Sequence, residues 1–124
     1  MRFARVVFAV AGIYGIAVIA PMYLMEERIG RDYPPVITHP EYFYGFLGVT
    51  LAWQVLFLVL SSDPVRYRPM ILPAILEKLF YGCSLLMLIA QHRVGPVVIY
   101  FGCVDWIFAA LFCASYWATG GRRT

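Results

Sequence analysis

The chain has 124 residues, of which 62% are hydrophobic and 14% charged, with a net charge of +3. A water-soluble domain carries about 25% charged residues, so this much Leu, Ile, Val, Phe and Tyr excludes an ordinary soluble fold and makes lipid the solvent for most of the surface. The Arg residues sit at helix ends rather than in a basic stripe interleaved with aromatics, which argues against nucleic acid as a partner.

A bilayer crossing takes about 20 residues. Four crossings with short connections use the whole chain, and residues 1–124 are expected to form one all-α unit, a polytopic membrane protein built as an antiparallel four-helix transmembrane bundle. The first span reads from about Phe3 to Leu24. Its apolar run is longer than the ~7–15 residues of a signal-peptide core, so it is expected to be retained as a helix. Ala4, Ala11 and Gly15 share one side, with Gly12 beside them, and small residues let helix backbones approach closely in lipid. Pro21 predicts a loosened turn near the far end.

Residues 25–40 form the longest connection, where Pro34-Pro35 favours extended backbone. Tyr23, Tyr33, Tyr42 and Tyr44 cluster around it, as aromatics do at a membrane–water boundary. The second span covers about 43–60 and ends at the turn signal Asp63-Pro64. The third covers about 70–90, entered through Pro69 and Pro73, and the fourth about 94–117, with Pro96 in its first turn. A frayed tail is expected over 120–123. Cys83, Cys103 and Cys113 all lie in apolar spans and read as small buried core residues, with a Cys83–Cys103 disulfide as the less favoured alternative.

Arg2, Arg5, Arg66, Arg68, Arg122 and Arg123 fall on one side of the bilayer, and Arg28, Arg31 and Arg93 on the other. The positive-inside rule then places both termini in the cytoplasm; the expected setting is a bacterial inner membrane.

The chemistry of the sequence is concentrated in Glu77, Lys78 and Asp105, three ionisable residues inside apolar helices. A charge at bilayer depth costs at least ~2.5–3.5 kcal/mol, and by default such a residue has a partner and a function. With a rise of ~1.5 Å per residue, Asp105 falls near the bilayer middle, together with Tyr14 of the first span, and Glu77, Lys78 and Gln54 lie about 3–5 Å toward the cytoplasmic side. Every helix thus supplies a polar group to one layer. The spacing Glu77, Tyr81, Ser84 draws one stripe on the third helix, and Thr50, Gln54, Ser61 a similar stripe on the second. Trp53 and Trp106 are expected to border the layer, and Gly102 and Ala109 to leave room beside Asp105.

Two acids share one lysine. Lys78 is expected to pair with Asp105, leaving Glu77 protonated and hydrogen-bonded to Gln54 or Tyr81. The candidate ligand or proton site is therefore Glu77, Lys78, Asp105, Gln54, Tyr81 and Tyr14. Two plainer readings stand beside it: a buried pair that only fixes helix register, and a third span starting later, in which Glu77 and Lys78 snorkel to the interface. His39 and His92 near acidic residues lack metal-site spacing, and no metal or cofactor is expected. No phosphate loop, dinucleotide fingerprint, catalytic triad order or haem-attachment motif is present, so no catalytic residue is assigned and enzymatic activity is not favoured.

In size, span count and glycine-rich helices the chain resembles the small four-helix bacterial membrane proteins of the DoxX-like group, with Leu76-Glu77-Lys78 as its most distinctive run. It is similar in size and span count to small multidrug resistance transporters, but those carry their essential Glu in the first helix, where this chain has none. Sterol isomerases of the emopamil-binding type also use intramembrane acids, though their motif is not found here. No functional residue is carried over from these groups.

The expectation that follows is a membrane protein whose intramembrane polar pocket binds a small hydrophobic or amphipathic ligand, a lipid or quinone-like compound. The alternatives are a proton-coupled transporter acting as a homo-oligomer and a non-catalytic accessory or assembly subunit.

Overall fold

The computed structural model describes residues 2–121. Arg122 and Arg123, assigned above to the cytoplasmic side, lie outside the described residues, as does the end of the expected tail. The order is α1 (Arg2–Ile19), a 3-10 segment (Ala20–Leu24), α2 (Glu26–Asp32), α3 (Pro40–Ser62), a 3-10 segment (Arg68–Met70), α4 (Ile71–Ala90) and α5 (Pro96–Thr119), with no strand among the described residues. Four stretches are long and apolar enough to cross a bilayer: Arg2–Leu24, Pro40–Ser62, Arg68–Ala90 and Pro96–Thr119. The chain is an all-α, multi-pass membrane protein.

The span boundaries agree with the sequence expectation to within three residues, and the differences have local reasons. Pro40 and Pro96 each open a helix, where the missing amide has no intrahelical partner to lose. The second span runs on to Ser61 and Ser62, whose hydroxyls donate back to Leu58 O and Val59 O. At the end of α1, Pro21 sits where the α-helix gives way to the tighter turn, as its missing donor requires.

α2 is an addition to the expectation: residues 25–40 read only as the longest connection, and the short helix lies ahead of Pro34-Pro35. Glu26 and Glu27 occupy its first turn and Arg31 its last, which suits the helix dipole. Arg28 and Asp32 pair at i, i+4 spacing, 3.6 Å apart. The tyrosine cluster anchors this segment: Tyr44 donates to Glu26 Oε1 at 3.0 Å, and its ring lies 5.8 Å from that of Tyr23.

Packing is uneven around the bundle. α1 lies along α3, α4 along α5, and α1 also meets α5, whereas α3 and α4 barely touch. Gly12 and Gly15 of α1 pack against α3, and Ala4 and Ala11 are buried along with them. A Cβ on Gly12 would come within 2.7 Å of Leu58 Cδ2 and 2.9 Å of the Gln54 carbonyl oxygen, so the close approach needs a glycine. The half nearer the chain termini is filled by aromatics: Phe8 stacks on Phe112 at 4.5 Å, and Phe57 meets Phe112 edge-on at 5.1 Å.

The cysteines are a correction. Cys83 and Cys103 are exposed on the outer surface of the bundle, Cys113 is half-buried, and all three are free thiols. A thiol is apolar enough to face lipid, so placement in an apolar span did not imply burial in the core.

Candidate functional site

The site is assembled from one level of each spanning helix. α3 supplies Gln54, which is 1% exposed. Its Nε2 donates to Thr50 O at 2.9 Å, one turn back along the helix. The amide is thereby fixed, and Oε1 is left without a hydrogen-bond partner. That oxygen lies in the notch left by Gly15 of α1, where a Cβ would collide with the amide group. Gly15 thus serves helix packing and the placement of Gln54 at once.

α4 supplies Glu77 and Lys78, and α5 supplies Asp105. Lys78 Nζ is 3.6 Å from Asp105 Oδ1 and 3.7 Å from Glu77 Oε2. Charge-assisted N–H···O bonds are about 2.7–2.9 Å long, so both contacts are ion pairs without a hydrogen bond. The ammonium also lies over two aromatic faces, 5.2 Å from the Phe57 centroid and 5.5 Å from that of Phe108. Phe108 in turn carries Tyr14, ring to ring at 5.8 Å, and the buried Tyr14 hydroxyl has no hydrogen-bond partner.

Two sequence expectations are corrected here. Lys78 is shared between both carboxyls rather than paired with Asp105 alone. Glu77 forms no hydrogen bond to Gln54 or Tyr81: its Oε2, ion-paired with Lys78, has no hydrogen-bond partner, Gln54 is bound to its own helix, and Tyr81 instead stacks its ring on Phe46. The short reach of a glutamate beside an adjacent lysine, and the preference of a glutamine for its own i−4 carbonyl, account for both differences.

Above this charged layer lies a cavity of about 600 Å³. α1 contributes Tyr14, Gly15, Val18 and Ile19, and the 3-10 segment after it Met22; α3 contributes Phe46, Val49, Thr50, Trp53 and Gln54; α4 contributes Pro73, Leu76, Glu77, Lys78, Phe80, Tyr81 and Ser84; α5 contributes Phe101 and Asp105. All six residues of the candidate site therefore line one cavity. Because α3 and α4 hardly touch, the cavity opens sideways between them, with the exposed Val49, Leu76 and Phe80 as its rim. The Phe46–Tyr81 stack, 5.8 Å between centroids, spans this opening.

Other expected neighbours lie elsewhere. Trp53 lines the cavity, but Trp106 packs against Gly82. Ser61 bonds to its own helix. Gly102 does leave room for a close neighbour, which is Leu85 of α4. His39 lies outside the layer, stacked on Tyr42 and 3.1 Å from Glu41. Sequence reasoning missed Phe46, Phe101 and Met22 as lining residues; each is an unremarked apolar position in an apolar helix.

Chemically, the site joins a mostly apolar chamber to polar groups comprising one ammonium, two carboxyls, an amide oxygen and two phenols. Comparison with family models, curated proteins and solved structures gives no match for this chain.

Proposed function

We propose that the chain binds a small hydrophobic or amphipathic molecule, lipid-like or quinone-like, which reaches the cavity sideways from the bilayer. The observation that carries this reading is the cavity of about 600 Å³ that opens between α3 and α4, mostly apolar in its lining and with Glu77, Lys78 and Asp105 as its charged groups. Its volume falls in the ~300–1,000 Å³ range of small-molecule sites. An apolar tail would lie along Val49, Leu76 and Phe80, and a polar head would reach Glu77, Lys78, Asp105 and Tyr14. The setting proposed is a bacterial inner membrane with both termini cytoplasmic, and the DoxX-like outline is kept as an architectural proposal.

The test is extraction of the protein purified in mild detergent, followed by mass spectrometry of the organic phase. Wild type is expected to retain a stoichiometric lipid-soluble compound that Thr50→Trp, which fills the chamber, loses. Equal retention by both proteins, or by neither, rejects the reading.

A second reading, proton-coupled transport by an oligomer, draws on one observation: the Glu77 carboxyl has no hydrogen-bond partner and borders the chamber. Its test is proton movement coupled to uptake in liposomes, abolished by Glu77→Gln.

A further inference from the structure

The charges on the cavity floor do not balance. Glu77 and Asp105 face a single Lys78, so the fully ionised trio carries one excess negative charge. The titratable groups that line the cavity with Glu77 are Lys78 and Tyr81 on α4, Asp105 on α5 and Tyr14 on α1, while α3 brings no charged side chain. None besides Lys78 can supply a positive charge.

The contacts are also loose. At 3.6 and 3.7 Å, neither carboxylate is hydrogen-bonded to Nζ. Glu77 is incomplete in either protonation state. Ionised, it leaves a charge uncompensated in a low-dielectric setting. Protonated, it presents an O–H with no acceptor within hydrogen-bond reach. Tyr14, which lines the same cavity, has a buried hydroxyl that likewise lacks a hydrogen-bond partner. One group that is positively charged and donates hydrogen bonds would complete both.

The walls favour the same chemistry. Tyr14, Trp53, Phe80 and Tyr81 surround the space above the floor, and aromatic faces attract cations. An anionic head would meet a lysine already held between two carboxylates and the net negative charge of the trio.

We infer that the head group taken by this site is a cation: an ammonium on a lipid-soluble chain, lodged against Glu77 and Tyr14 with its tail in the α3–α4 opening. The inference rests on the ligand-binding reading above and narrows it to one class of head group.

The experiment uses the full chain in phosphatidylcholine nanodiscs and tritiated dodecylamine, which is protonated at neutral pH. Retention by Thr50→Trp discs gives the background from partition into lipid. Unlabelled dodecylamine, dodecanol and dodecanoate, matched in chain length, compete for the label. Dodecanol and dodecanoate are expected to compete about tenfold or more weakly than the amine, and Glu77→Gln and Asp105→Asn each to weaken amine binding by about tenfold or more, as loss of a charge-assisted contact implies. Dodecanol competing as well as the amine, with all retention lost in Thr50→Trp, overturns the cation while leaving the pocket in place. Preferential competition by dodecanoate overturns it in favour of Lys78 as the recognising group. Amine retention no greater than that of Thr50→Trp also overturns it, and the compound extracted from wild type then decides the broader reading separately. The wild-type competition series stands alone should either charge variant fail to fold.

Discussion

At the scale of single residues, two positions test whether the floor is a tightly determined arrangement. Gly15 has no room for a side chain because the Gln54 amide occupies its notch. Gly15→Ala is therefore expected to displace Gln54 and to cost about 1–3 kcal/mol, the usual penalty for overpacking. Gly45, in the same bundle but with nothing within 4 Å of where a Cβ would stand, supplies the control. Gly45→Ala is expected to be neutral or to gain up to ~0.5–1 kcal/mol from reduced backbone entropy. Thermal unfolding in one detergent separates the two, and equal melting temperatures would remove the close-contact argument. Lys78 is the second position. Lys78→Met would leave two carboxyls facing each other without a cation, at a cost of about 3–5 kcal/mol. Adding Asp105→Asn should restore part of that loss, because it removes the repulsion along with the charge. A double variant no better than the single one would mean that the lysine acts through packing on Phe57 and Phe108. The sequence made this trio legible, since charges stand out in apolar helices. It did not make the hydrogen bonding legible, because the choice between Thr50 O and Glu77 for the Gln54 amide is a rotamer choice that spacing does not carry.

At the scale of elements, the spans were readable from hydropathy and proline placement, and α2 was not. A seven-residue helix has too few turns for a periodic pattern, and the following Pro34-Pro35 dominates the local signal. The linker before α4 also held more than a topology signal. Arg68 Nε donates to Tyr116 O at 3.0 Å, and its guanidinium lies 3.7 Å from the Tyr116 ring centroid. It thereby ties the start of the third span to the end of the fourth. A Cβ at Gly120 would come within 3.0 Å of the same guanidinium, so the end of α5 is shaped around it. Arg68→Ala is expected to lower stability by about 1–2 kcal/mol and to raise hydrogen exchange over the last turn of α5. Arg68→Lys should rescue little, since an ammonium cannot reproduce the flat, stacked donor. Full rescue by lysine would show that only the positive charge at this membrane boundary matters.

At the scale of the whole molecule, the four spans make two close pairs, α1 with α3 and α4 with α5, joined through α1 and α5. The cavity exists because the remaining side of the square is left open. Small residues announced the α1–α3 seam in the sequence, but nothing in α3 or α4 announced the gap, since a weakly packed face and a lipid-facing one have the same composition. An even number of spans puts both termini on one side, and the arginines decide which side that is. Six of them, Arg2, Arg5, Arg66, Arg68, Arg122 and Arg123, belong to the terminal side, against Arg28, Arg31 and Arg93 opposite. Acidic neighbours contribute little to the rule, so the pairing of Arg28 and Arg31 with Asp32 does not itself weaken the count on that side. The bias of six to three still favours the terminal side as cytoplasmic. In a bacterial host, alkaline phosphatase fused after Thr124 is expected to be inactive and green fluorescent protein at the same point fluorescent. Phosphatase inserted between α2 and α3, at Val36, should be active. The reverse pattern would turn the bundle over and place the α2 loop in the cytoplasm, while the α3–α4 opening would still face lipid.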